Sequence, residues 1–140
     1  MQEQNYFTNI RTLKMSKYAA ANLRFSPDGR HLVAWSTHRR HAWVWDVESR
    51  QVIRKIKKER KRADPRYVYT QDGQYLIGVR SYGKKEPSEF VLYDTKRYKE
   101  VDSWQSRYYK SILLSTPDNR VMSYSRWKTG SCLSGEATHV

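Results

Sequence analysis

One cysteine, Cys132, stands in 140 residues, so no disulfide can form within the chain. Apolar runs are short. None approaches the roughly 18 residues that cross a bilayer, and the opening MQEQNYFTNIRTLK lacks the basic start and apolar stretch of a secretory signal. A reducing, cytoplasmic setting without a membrane span is the expectation. Carboxylates are few: 14 Asp and Glu stand against 27 Lys and Arg, a net charge of +13. Such an excess favours anionic partners, whether nucleic acid, acidic proteins or a lipid surface.

Motifs of catalysis are also missing. There is no glycine-rich phosphate loop and no Gly-x-Ser-x-Gly elbow. His31, His38 and His41 lie close in sequence, but no second cluster of Cys, His or paired carboxylates joins them as a metal site requires. Cys132 and His139 are the only thiol and imidazole near one another, and catalytic pairs are joined by folds, not by adjacency in the chain. The expectation is a protein that is not an enzyme, with no cofactor and no metal.

What the chain does contain is one phrase written three times. LRFSPDGRHLVAW (23–35), VYTQDGQYLIGV (68–79) and STPDNRVMSY (115–124) place Asp28, Asp72 and Asp118 at intervals of about 45 residues. Pro presets a turn, and Asp-Gly or Asp-Asn accepts positive φ, so the three clusters read as hairpin tips. Apolar runs follow each tip: Leu32 to Trp35 in the first, Leu76 to Val79 in the second, Val121 to Tyr124 in the third. They are nearly continuous, as in strands covered on both faces.

Further runs, HAWVWD (41–46) and EFVLYD (89–94), each end in an aromatic residue and Asp. A weaker, more charged run completes each unit, at 51–56 and 98–104. Four strands in about 45 residues, the fourth the most charged, predict an all-β chain of stacked four-stranded antiparallel sheets. Each sheet covers its neighbour's apolar face. Trp43 and Trp45 share one face of their strand and belong to that packing. Asp28, Asp72 and Asp118 in turns, and Asp46 and Asp94 at strand ends, carry structural work.

FSPDGRHLVAW with HAWVWD, and YTQDGQYLIGV with EFVLYD, resemble the WD-repeat β-propellers and the wider class of propeller repeats with SPDG turns. The resemblance covers roughly residues 20–125. It implies a partial β-propeller of about two and a half four-stranded blades: 20–58, 59–106 and a partial third at 107–140. Residues 1–19 form an N-terminal segment whose Ile10 to Met15 could be the outer strand of another blade. The Gly-His pair common in such repeats is absent, and Tyr93 stands where Trp is usual, so the buried polar network through that His is not expected.

Complete propellers close with about four to eight blades, so three explanations stand for two and a half: a fragment of a longer ring, which ranks first, an open stack, or a protomer that self-associates to complete a ring. In the third unit, residues 131–136 occupy the place of a third strand.

By resemblance, the function is a non-catalytic protein-protein interaction scaffold. The basic run RKIKKERKRADPR (54–66) supplies the candidate contact residues Lys57, Lys58, Arg60, Lys61 and Arg62. Arg39 and Arg40 join them from the presumed tip at 38–41. The expected partner is another, acidic protein. The alternative is a nucleic-acid-binding module using the same run, each neutralised phosphate steepening the salt dependence. A second alternative is the propeller portion of a larger enzyme or complex subunit. Ile53 and Ile56 anchor the run as a strand end or a short helix. Tyr67, Tyr69, Tyr82, Tyr98, Tyr108 and Tyr109 could stack on unpaired bases, but packing is the expectation for them.

Overall fold

The computed structural model describes Leu13 and residues 22–36, 41–57, 66–80, 87–105, 111–115, 117, 120–126 and 133–139. These form eleven strands and, among the described residues, no helix. The first sheet holds β1 (Asn22–Phe25), β2 (His31–Trp35), β3 (His41–Asp46) and β4 (Val52–Lys57). The second holds β5 (Arg66–Tyr69), β6 (Tyr75–Arg80), β7 (Glu89–Asp94) and β8 (Glu100–Gln105). The third holds β9 (Ser111–Ser115), β10 (Arg120–Arg126) and β11 (Leu133–His139). Every pairing is antiparallel and follows chain order within its sheet. β1 lies against β5 and β5 against β9, so the sheets stack in chain order.

The tips form for the reason their sequence suggests. Gly29 and Gly73 have φ of 72° and 71°, which costs glycine little. A second device repeats beside each. Ser26 Oγ donates to Asp28 at 2.6 Å and accepts from the His31 amide, while Asp28 also accepts from the Arg30 amide. Thr70 and Asp72 make the same bonds to Tyr75 and Gln74. The hairpins between third and fourth strands repeat too. Arg50 and Tyr98 both adopt positive φ, and Asp46 and Asp94 accept the amides of Ser49 and Arg97. A bulge falls at Val44/Trp45 and again at Leu92/Tyr93.

Period-two alternation builds two cores. Val33, Trp35, Ala42, Val44 and Ile56 of the first sheet meet Tyr67, Tyr69, Leu76, Val91, Tyr93 and Tyr98 of the second. Ile77, Val79 and Phe90, flanked by Val68, Leu92 and Trp104, occupy the second sheet's other face. The fully buried runs of β2 and β6 are therefore those of strands covered on both sides. Each large aliphatic side chain so buried contributes roughly 1.5–3 kcal/mol. Gly78 is needed for a closer reason: a Cβ there would come within 2.9 Å of the Tyr67 ring.

Several sequence expectations are refined. Residues 53–56 belong to a strand and not to a helix; Ile56 is buried, but Ile53 sits at the bulge, 45% exposed, and anchors nothing. Tyr98 lies in the turn before β8 and not in the strand. In the third unit the extra strand runs Leu133–His139, later than 131–136; His139 ends it, opposite Arg120. Ser131 and Cys132 lie outside the described residues.

Candidate functional site

Of the candidate contact residues, the structure describes Lys57. It ends β4, exposed, opposite His41 across the strand pair. Arg39, Arg40, Lys58, Arg60, Lys61 and Arg62 lie outside the described residues. The strand ends that flank them are informative. β2 finishes, β3 starts, β4 finishes and β5 starts at the end of the stack opposite the Asp-Gly tips, because neighbouring strands alternate in direction. The described strand ends on either side of 37–40 and 58–65 therefore lie at that one end.

Lys57 continues a basic stripe. Arg54, Lys55 and Lys57 are exposed along β4, with Ile56 turned inward between the two lysines. Among the described residues none of the three has an acidic partner. β8, the equivalent strand of the second sheet, is acidic instead, exposing Glu100 and Asp102. The same architecture thus presents a cationic edge on one sheet and an anionic edge on the next.

Two polar clusters between the sheets went unread in the sequence. In the first, His31 Nδ1 lies 2.6 Å from the Tyr98 hydroxyl, which lies 3.1 Å from that of Tyr69. Burial pushes the Tyr98 phenol up to about 12, and raises those of Tyr69 and Tyr67 further. All three stay protonated and act as packing groups that carry a hydrogen bond donor. In the second, the buried Arg80 guanidinium donates to Tyr93 at 2.9 Å and to Glu89 at 3.4 Å, with Glu100 at 3.9 Å. The signal for the first was positional: Tyr98 falls, relative to its aromatic-Asp pair, where Arg50 falls in the first unit. For Arg80, nothing in the sequence distinguished it from other cations.

The carboxylates of the turns are occupied. The Ser26 hydroxyl, then the Arg30 amide, hold Asp28 below the usual carboxylate range. The Ser49 amide does so for Asp46. No group of three or more His, Cys, Asp or Glu placed to hold a metal occurs among the described residues. Nor is any helix among them long and apolar enough to cross a membrane.

Compared with solved structures, the chain is similar to the WD40 repeats of RRP9, with a TM-score of 0.63 and 17% identity, over 82% of this chain and 35% of that one. The chain has the fold of a partial β-propeller. The β-propeller domain of the trilobed protease from Pyrococcus furiosus matches 84% of the chain at a TM-score of 0.59 and 20% identity, over 39% of its own length. The acylaminoacyl peptidase of Pyrococcus horikoshii matches at 0.56 and 17% identity, over 85% of this chain and 24% of that one. At such identities the likeness is one of fold, and the chain spans well under half of each relative. No protein-family model matches the sequence, and no curated protein matches it. The first and second sheets are four-stranded propeller blades, as the repeated phrase predicts, and the WD-like character of the repeats is borne out as fold.

Proposed function

We propose that this propeller segment is a non-catalytic interaction module that meets an acidic protein through the basic edge of blade 1. The observation that carries the reading is the charge reversal between equivalent strands: exposed Arg54, Lys55 and Lys57 on β4 against Glu100 and Asp102 on β8. A decorative charge pattern has no reason to segregate by blade. On this reading Lys58, Arg60, Lys61 and Arg62 extend the edge, and Arg39 and Arg40 flank it from the neighbouring connection. Such a field raises the rate of encounter with anions and selects against cationic partners. The turn carboxylates, held by their own backbone, are in keeping with a scaffold and not with acid-base chemistry.

The reading takes the repeat units at 20–58, 59–106 and 107–140 as successive blades and assumes a cytoplasmic setting. Ring completion by another blade, including one from a second copy, belongs to the same picture.

Nucleic acid is the second reading, favoured by the density of basic residues at 54–66. Against it, Tyr67, Tyr69 and Tyr98 are buried and offer no ring to a base. The third, a portion of a larger enzyme, draws on the peptidase among the structural relatives. Binding of polyglutamate, a mixed-sequence single-stranded oligonucleotide and a duplex separates the first two. The acidic-protein reading predicts polyglutamate binding that falls tenfold or more when Lys57, Lys58, Arg60, Lys61 and Arg62 become Gln. Tighter oligonucleotide binding, lost in the same variant, would replace it with the nucleic-acid reading.

A further inference from the structure

The outer hairpins of the two blades are built alike and charged unlike. Asp46 and Asp94 hold their turns, Arg50 and Tyr98 take the same positive φ, and each hairpin carries its bulge at the same place. Residues 47–57 therefore match 95–105 position for position. Glu48 stands where Lys96 stands and Arg54 where Asp102 stands, all four exposed. Between these positions Ile53, 45% exposed, matches Val101, 54% exposed. Laid side by side in register, the two edges set opposite charges against each other twice, with an apolar pair between. No residue of 47–57 then meets one of like charge directly opposite.

β4 and β8 are the outer strands of their sheets, and among the described residues no strand pairs beyond either. Charge on such an edge commonly guards against joining other chains. Here the guard is one-sided. Two β4 edges repel, but a β4 edge and a β8 edge attract.

Symmetry decides what two such edges build. A twofold axis along the stack, perpendicular to the outer strands, sets blade 1 of one copy against blade 1 of the other, cation to cation. An axis parallel to those strands, passing between the blades, sets blade 1 against blade 2 of the other copy, and does so twice. That arrangement runs β4 and β8 parallel and closes on itself, as cyclic dimers do.

We propose that the acidic protein met by the basic edge is a second copy of this chain, in a closed dimer where Arg54 faces Asp102 and Glu48 faces Lys96 at two equivalent contacts. This rests on the basic-edge reading and names its partner. Ile53 and Val101, exposed in one copy, cover one another in the dimer. Glu100 has a lesser part, since Arg80 of its own chain lies at 3.9 Å.

Sedimentation velocity on the full chain tests the dimer. The parent should pass from monomer to dimer over the micromolar range at low salt and return to monomer at high salt. Arg54→Asp or Asp102→Arg alone should weaken the dimer about tenfold or more, since each change is felt at both contacts. Both positions are exposed, and the circular dichroism of each variant should match the parent's. An equimolar mixture of the two variants should dimerise again, because each supplies the edges that the other has lost. A parent that stays monomeric, single variants that dimerise as the parent does, or a mixture that fails to recover would each overturn the dimer.

Polyglutamate keeps this inference apart from the reading it rests on. Asp102→Arg leaves the basic edge intact and should bind polyglutamate at least as tightly as the parent does. A monomeric parent that binds polyglutamate defeats the dimer alone. One that neither dimerises nor binds it defeats the basic-edge reading as well.

Discussion

Blades 1 and 2 are written in nearly the same words, and the same positions meet different fates. Tyr67 and Tyr69 on β5 are each 4% exposed, while Leu23 and Phe25, their counterparts on β1, stand half in water. Tyr98 closes a bonded chain to Tyr69 and His31; Arg50, with the same positive φ in the same turn, has no such place in a core. Gly78 sits opposite Tyr67 where Ala34 sits opposite Leu23. For these paired positions, burial is set by whether another blade lies against the residue. The local pattern fixes only which face it takes.

Paired substitutions sharpen the contrast. Tyr69→Ala should cost about 3–5 kcal/mol, because a large ring leaves a cavity between sheets, whereas Phe25→Ala should cost less than about 1 kcal/mol. Urea unfolding of the two variants measures the difference, and equal losses would erase the distinction between the blades.

Next in size is Gly78→Ala. Its methyl group would press on the Tyr67 ring at 2.9 Å, and overpacking of this kind costs about 1–3 kcal/mol. The double change Gly78→Ala with Tyr67→Leu copies blade 1's own pairing and should recover part of the loss. No recovery would mean that the ring is not what the methyl group meets. Tyr98→Phe comes third. It strips the hydroxyl between His31 and Tyr69 and should cost about 1–2 kcal/mol, against a few tenths for Arg50→Gln, read from the same unfolding curves.

The smallest effect is on acid stability. Asp28 and Asp46 have folded pKa values below their unfolded ones, so their contribution is complete above the unfolded value near 4 and disappears as pH falls through the lowered folded values. Asp28→Asn or Asp46→Asn should therefore flatten the fall of Tm on the acid side of roughly pH 4. A slope unchanged from the parent would show that these carboxylates do not govern acid unfolding.

Much of the fold could be read from the chain because turn chemistry is local. Asp-Gly announced Gly29 and Gly73, and unbroken apolar runs announced strands covered twice, as at Leu76, Ile77 and Val79, which are buried on the two faces of the second sheet. What could not be read depended on distant partners. His31 and Tyr98 are brought together only when two sheets stack, and Ile53 looked like an anchor because a bulge has no signature in its own side chain. The basic edge was legible as composition, but the acidic character of its counterpart on β8 acquired meaning only once the two strands proved equivalent.

The stacking of blade 1 on blade 2 carries everything else, and the contact between His31 and Tyr98 reports on it from opposite sides of the joint. A double-mutant cycle with His31→Ala and Tyr98→Phe, followed by urea unfolding, measures their coupling. Residues bonded at 2.6 Å should couple by roughly 0.5–3 kcal/mol, whereas additivity to within about 0.3 kcal/mol would mean that the two sheets do not meet as described.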